Sequence, residues 1–170
     1  MYKERIGNLM KEAVRREPDM SINDPDSLAS FIEERVNKFV DYATHVTKME
    51  LHMQLLNAKG IKGEEWRDIV ENMDRNRRSK HENAMDAVNQ LNRMSASYGL
   101  EPFYEGPVDD EHRYEIGDLC RDICTEYFDQ RSPQPLKASE ILAEEEQGSA
   151  KDFASSVEQL SEEIDTEIVK

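Results

Sequence analysis

The sequence predicts an all-α fold, a helical bundle of four main helices with an acidic helical C-terminal extension. Three observations favour it. Apolar residues recur at three- and four-residue spacing along most of the chain, and no stretch alternates in the manner of a β-strand. The 7 glycines and 6 prolines fall mainly between these periodic stretches. Charged residues make up 35% and apolar residues 37%, which is typical of a soluble, helix-rich domain.

The first two helices are recognised by their end signals. Apolar residues repeat at helical spacing up to Pro18, which predicts a helix over about residues 2–16. The stretch SINDPDSL then offers Asp24 as an N-cap and Pro25 as the first helical residue. We therefore expect a second, long helix over about residues 25–58.

The third and fourth helices flank an aromatic loop. The third is expected to begin at Glu64 and to stop at Gly99. In the loop GLEPFYEGPVDD, Phe103 and Tyr104 are predicted to anchor the chain on the bundle. The fourth helix is expected over about residues 111–130. Its predicted inner face comprises Tyr114, Ile116, Leu119, Cys120, Ile123, Cys124, Tyr127 and Phe128.

A linker divides the chain into two predicted regions. SPQP, residues 132–135, separates a helical bundle domain (1–131) from an acidic linker and amphipathic helical tail (132–170). Apolar residues recur in the tail at 4-3-4-4 spacing, which indicates an amphipathic helix. These residues are Phe153, Val157, Leu160, Ile164 and Ile168. The tail helix can dock on its own bundle, pair with a second copy, or bind another protein.

Charge is distributed unevenly along the chain. Residues 1–98 carry 16 Lys and Arg against 17 Asp and Glu, whereas residues 99–170 carry 6 against 20. Such an acidic region favours a positively charged partner and argues against direct binding to DNA, because proteins that bind nucleic acids are usually basic.

The fourth helix carries many of these acidic residues on one face. Six carboxylates keep i, i+3 or i+4 spacing and are the predicted partner-binding residues. They are Glu111, Glu115, Asp118, Asp122, Glu126 and Asp129. We therefore expect a non-catalytic acidic protein that binds a basic groove of another protein. Such a protein would act as a nucleic-acid-mimicking inhibitor of a nucleic-acid-handling enzyme. The alternative is the solvated face of an ordinary amphipathic helix.

A second group of polar residues is predicted between the second and third helices. Counting outward from the turn near residue 60 places Asp41, His45, Arg77 and His81 in one polar cluster inside the bundle. A buried charge needs a partner, and both signs are present here. The cluster is either a site, with an acid/base pair or metal ligands, or a structural ion network.

Two further classes of function stay open. The pattern Arg75-Asn76-xxxx-His81 resembles the Arg–polar–x–His signature of HEPN-type ribonucleases. That resemblance implies an all-helical, usually dimeric enzyme whose Arg and His act on the RNA backbone without a metal. The other alternative is a dimeric scaffold or regulator acting through residues 153–168.

The sequence predicts no cofactor and no metal. Cys120 and Cys124, one helical turn apart, would need His112 or His81 as a further ligand, and buried cysteines usually act as small apolar residues. Their geometry suits a disulfide poorly. With no signal peptide and no membrane span, we expect a cytoplasmic protein that does not bind membranes and that can form a homodimer.

One long stretch carries a family resemblance. Residues from Arg78, RxxHxxxxxxVNQLNRxxxxYGLEPFYEG, through the helix ending EYFDQR resemble an uncharacterised family of small helical proteins from Gram-positive bacteria and their mobile elements. The resemblance covers about residues 75–131. It implies an all-helical fold, and it implies no activity and no site residues.

Overall fold

The computed structural model describes residues 1–128 and 133–143. Four helices account for most of this part of the chain, and it contains no β-strand, so the all-α prediction is confirmed. The helices are α1 (Tyr2–Arg16), α2 (Leu28–Ala58), α3 (Gly63–Ser97) and α4 (Arg113–Phe128). A 3-10 turn, Asp110–His112, leads into α4, and residues 138–143 form one further short helical stretch.

Helix α1 lies against α2 and α4 and closes one side of the bundle. Its apolar stripe is completely covered. The buried residues of this stripe are Ile6, Leu9, Met10 and Ala13. The Glu126 carboxylate on α4 accepts hydrogen bonds from the Met1 amino group and from the Tyr2 amide (3.1 Å). The bond from Tyr2 satisfies one of the amides that the first turn of a helix leaves without a partner.

Helix α2 begins three residues later than the sequence predicts. Ser27, not Asp24, is the N-cap, and its Oγ accepts a hydrogen bond from the Ser30 amide at 3.0 Å. The Asp24 carboxylate accepts from the Asp26 amide (2.9 Å) and closes a turn before the helix. Glu17, at the end of α1, accepts from the Leu28 amide at 2.5 Å. The helix start is therefore fixed partly by a tertiary contact that local sequence signals do not reveal.

Helices α2 and α3 form a long antiparallel hairpin. At 31 and 35 residues they are about 47 and 52 Å long at 1.5 Å per residue. Gly60 and Gly63, both with positive φ (73° and 74°), allow the tight turn between them. Between residues 44 and 80 only Leu56 is buried. This outer part of the hairpin is therefore much less covered than the part that packs against α1.

The loop between α3 and α4 is fastened to the core as predicted. Phe103 is completely buried, with its ring 5.5 Å from that of Phe39 and 5.8 Å from that of Tyr2. The Asn92 side chain donates to the Tyr104 carbonyl and accepts from the Tyr104 amide, both at 3.0 Å. The loop therefore holds the start of α4 in a defined position.

Packing against the bundle continues after residue 131. The Asn37 amide side chain donates to the carbonyl of Leu136 and accepts from its amide, both at 2.8 Å. The Ala138 amide donates to Glu33 at 2.7 Å, and Ala138 and Ile141 are buried. Residues 133–143 thus cover the N-terminal half of α2. The predicted tail helix over 151–168 lies outside the described residues.

One residue of the predicted inner face of α4 points outward. Tyr114 is 71% exposed, whereas the other members of that face are buried. On a helix, Tyr114 lies about 160° from Ile116, which is fully buried. Its hydroxyl accepts a hydrogen bond from Arg113 at 3.0 Å, and this local pair holds the ring at the surface. The prediction that Tyr114 is a core residue is therefore wrong.

Candidate functional site

Four of the six predicted partner-binding carboxylates are exposed to solvent. We call Glu111, Glu115, Asp118 and Asp122 the carboxylate row. Within residues 1–128 and 133–143 none of the four forms an ion pair. The opposite side of the helix is anchored by buried Ile116, Cys120 and Tyr127. Among the described residues, the row is therefore a line of carboxylates without ion-pair partners, on α4 and in the turn before it.

The last two predicted carboxylates differ from the row. Glu126 is partly buried, because it accepts hydrogen bonds from the amino group of Met1 and the amide of Tyr2. Asp129 lies outside the described residues. Glu126 therefore joins α4 to α1.

A different face of α4 carries arginines. Arg113, Gly117 and Arg121 recur every four residues and line a groove between α2, α3 and α4. The cavity has a volume of about 290 Å³. Its apolar floor is formed by Val46, Met49 and Met53 of α2. We call this feature the arginine groove.

The arginines of the groove differ in their partners. Arg121 donates to Glu50 at 2.5 Å, and Arg77 donates to Asp74 at 2.8 Å. Arg113 has no carboxylate partner in the part of the chain that the structure describes. The sequence alone does not predict this groove, although Arg113, Gly117 and Arg121 recur in it at four-residue spacing.

The residues of the predicted polar cluster have different partners. Asp41 is 54% exposed and pairs with Lys80 at 2.6 Å. His45 Nε2 lies 3.2 Å from the Met73 carbonyl oxygen. Counting from the turn predicts that Asp41 on α2 faces His81 on α3. The observed partner, Lys80, directly precedes His81, so the count is correct to within one residue. The structure records no contact between Asp41 and His81. Asp41 lies at the surface and not inside the bundle, and its carboxylate is directed outward to Lys80.

Arg77 and His81 do line a common pocket, between α3 and the start of α4. The side chain of Arg77 is only 12% exposed, and it also donates to the Tyr42 hydroxyl at 3.5 Å. The hydrogen bonds that Asp74 accepts, first from Arg77 and also from Arg78, lower the pKa of this carboxyl. Asp74 therefore stays ionised and balances the partly buried guanidinium.

His81 is buried, at 3% exposure, beside the ring of Tyr42. Burial, and then the charge of Arg77, lower its pKa, while Asp110 opposes this shift. Its Nδ1 lies 3.7 Å from Asp110, beyond hydrogen-bond range, and its Nε2 has no hydrogen-bond partner among the residues that the structure describes. The imidazole is therefore neutral at neutral pH, which suits a structural role as well as a chemical one.

The two residues of the ribonuclease-like pattern lie apart. Arg75 is exposed and His81 is buried, both in the middle of α3. Six residues on a helix separate them by about 120° around the axis and about 9 Å along it. Arg75 and His81 therefore lie on different faces of α3.

No metal centre is found among residues 1–128 and 133–143, where no three His, Cys, Asp or Glu side chains are grouped to hold an ion. Cys120 and Cys124 are free and buried. Burial raises the pKa of the Cys124 thiol to about 11, and it raises the pKa of the Cys120 thiol well above its ordinary value. Both are therefore protonated at neutral pH, a form that is neither a metal ligand nor a nucleophile.

Among the described helices, none combines the length and the apolar character needed to cross a membrane. Residues 10–133 match the model of a family described as "Protein of unknown function (DUF3232)". No curated protein and no solved structure shows significant similarity to the chain. The family match includes the carboxylate row and the arginine groove, and it ends before the predicted tail helix.

Proposed function

Because the chain belongs to the DUF3232 family of proteins of unknown function, we propose a function for it from its charged surface. It is a non-catalytic interaction protein that binds a basic groove of another protein through the carboxylate row, which lies on α4 and in the turn before it. The observation that carries the proposal is the absence of internal ion pairs at Glu111, Glu115, Asp118 and Asp122, within the described structure. Unpaired carboxylates are available to a cationic partner without first breaking a contact.

The rigidity of α4 supports this function. Its buried face and the anchored loop before it hold the row in place before any partner arrives. A preorganised surface loses less conformational entropy on binding than a mobile one does. The net charge of −15 for the whole chain adds long-range attraction, which speeds the encounter with a basic protein.

We propose a nucleic-acid-handling protein as the class of partner. From Glu115 to Asp122 the row places one carboxylate about every 5 Å of helix axis. A DNA strand carries one phosphate about every 3.4 Å, so the row is a sparser line of charge of the same sign. Asp109 and Asp110 extend the negative surface beyond the start of α4. A groove that binds phosphates through lysine and arginine would accept this helix and lose access to its nucleic acid.

Affinity capture with matched baits tests the proposal. The baits are the wild-type chain, a row variant (Glu115→Gln, Asp118→Asn, Asp122→Asn) and a control variant (Asp68→Asn, Glu71→Gln, Asp86→Asn). The control positions are exposed acidic residues of α3, so both variants have the same net charge. Three exposed charge contacts worth about 0.5 kcal/mol each predict about a tenfold loss of affinity in the row variant alone.

The captured protein must also behave as the proposal requires. It should be basic, and the wild-type chain should displace nucleic acid from it. Equal loss of binding by the row and control variants would mean that net charge alone drives capture. A partner that binds nucleic acid and this chain simultaneously would contradict the mimicry.

A further inference from the structure

We propose that the arginine groove is the docking site of the chain's own C-terminal segment, residues 151–168. This inference is independent of the partner proposed for the carboxylate row. It starts from the floor of the groove, where Val46, Met49 and Met53 are only partly covered by the described residues. Apolar side chains in contact with water favour an occupant that removes them from it.

The rim of the groove defines what kind of segment fits. Arg113 offers a guanidinium with no carboxylate partner among the described residues, and Arg77 and Arg121 stand nearby. Between the two arginines of α4, Gly117 has no side chain, and a Cβ placed there would meet nothing within 4 Å. A second helix can therefore approach the α4 backbone at this point. The groove thus suits an apolar stripe flanked by negative charge.

The C-terminal segment has this composition. Its apolar residues at 4-3-4-4 spacing make one stripe of a helix, and Glu163 and Glu167 flank that stripe. Residues 144–170 contain 9 acidic and 2 basic residues. The stripe matches the methionine-rich floor, because methionine side chains adapt to irregular apolar partners. The flanking carboxylates match Arg113.

The carboxylate row does not prevent an acidic segment from docking here. On α4, Glu115 lies about 160° and Asp122 about 140° from Gly117. Both therefore face away from the groove, and only Asp118 belongs to the row and to the groove lining. An acidic helix in the groove thus meets mainly the arginine side of α4.

The connecting chain is long enough to reach the groove. The described structure ends at Ala143, after contacts of Leu136 with Asn37 and of Ala138 with Glu33 on α2. From Asn37 to Met49 is about 18 Å along the helix. Residues 144–152 can span about 30 Å when extended, so they can also pass around the side of α2.

Cross-linking in the full-length chain tests the docking. We pair Met53→Cys with Leu160→Cys and add a short bifunctional maleimide to the folded protein. The control pairs Ser79→Cys, an exposed position on α3 outside the groove lining, with the same Leu160→Cys. The buried native cysteines are protonated and serve as the wild-type blank.

The proposal predicts a cross-link at the mass of the monomer for the Met53 pair, formed at least tenfold faster than for the Ser79 pair. Equal rates, or no cross-link in the folded protein, overturn it. A cross-link found only at the mass of a dimer identifies a second copy as the occupant and also overturns it. If Met53→Cys fails to fold, Met49→Cys takes its place on the same floor.

A charge test separates specific docking from a chance collision. Adding Arg113→Glu to the Met53 pair should slow the cross-link several-fold, because the guanidinium is then replaced by a repelling carboxylate. Arg67→Glu, an exposed arginine of α3 outside the groove, is the matched control and should leave the rate unchanged. Equal slowing by both substitutions would contradict a contact with Arg113.

Discussion

Asp74 and Arg77 show how a single charged pair supports α3 against its neighbours. The Arg77 side chain is mostly covered, and it receives its balancing charge from Asp74 on the preceding turn. Its guanidinium then reaches Tyr42 on α2. A buried charge without a partner is costly, so the contact of Arg77 with α2 depends on the ion pair with Asp74 within α3.

Asp74→Asn should destabilise the fold by about 1–3 kcal/mol, because the amide no longer neutralises Arg77. Denaturant unfolding measures the change. Asp68→Asn is the matched control, since Asp68 is exposed on the same helix and forms no ion pair in the described structure. It should change stability by less than about 0.5 kcal/mol. Equal effects of the two substitutions would mean that Arg77 does not depend on Asp74.

His81 predicts a specific pH dependence of stability. Its pKa is lowered in the folded state, so the unfolded chain binds the proton more readily. The contribution of a neutral His81 is therefore complete above about pH 6.5 and is lost as the pH falls through the lowered pKa of the folded state. His81→Gln removes this term, and its melting temperature should fall less than that of the wild type between about pH 7 and about pH 5.

The control for this comparison is His52→Gln, an exposed histidine on α2. Its melting temperature should follow that of the wild type across the same pH range. The pKa of His112 is raised by its hydrogen bond with Asp109, but His112 is present in all three proteins and cancels in the difference. A parallel fall in all three proteins would show that His81 is not the group that titrates.

At the scale of elements, the loop before α4 depends on one aromatic anchor. Phe103→Ala should cost about 3–5 kcal/mol, because it empties a fully buried site between Phe39 and Tyr2. Thermal or denaturant unfolding measures it. Leu51→Ala is the control, since Leu51 is largely exposed on α2, and it should cost less than about 0.5 kcal/mol. A similar, small cost for both would contradict the anchoring role of the loop.

Helix boundaries show which signals are readable in the sequence. The ends near Pro18, Gly60 and Gly99 were predicted because these residues interrupt helices whatever surrounds them. The predicted start of α2 is three residues too early because Glu17, the residue that follows α1, satisfies the amide of Leu28. Tertiary hydrogen bonds of this kind leave no local pattern.

The site residues were predictable to different degrees for similar reasons. Exposure of the carboxylate row follows from helical spacing opposite an apolar stripe, which one helix alone determines. The partner of Asp41 depends on the register between two helices. The sequence predicts His81 as this partner, whereas the structure shows Lys80, one residue earlier. The arginine groove needs three helices to form, so its lining could not be assembled from periodicity in any one of them.

At the scale of the whole molecule, the acidic residues are unevenly distributed over the helices. Residues 1–98 are nearly neutral and supply three of the four helices, whereas the acidic excess begins with the loop before α4. The bundle therefore serves as a rigid support for one acidic helix. The proposed attraction for a basic partner comes from this region together with the acidic residues that follow residue 131.

The salt dependence of binding tests this central claim most directly. The affinity of the captured basic partner is measured by titration at low and at high salt, for the wild type, the row variant and the α3 control variant. Exposed charge contacts weaken as salt screens them. We predict a steep loss of affinity with salt for the wild type and the control variant, a shallow loss for the row variant, and similar affinities for all three at high salt. Parallel salt dependences for all three proteins would contradict a binding role for the carboxylate row.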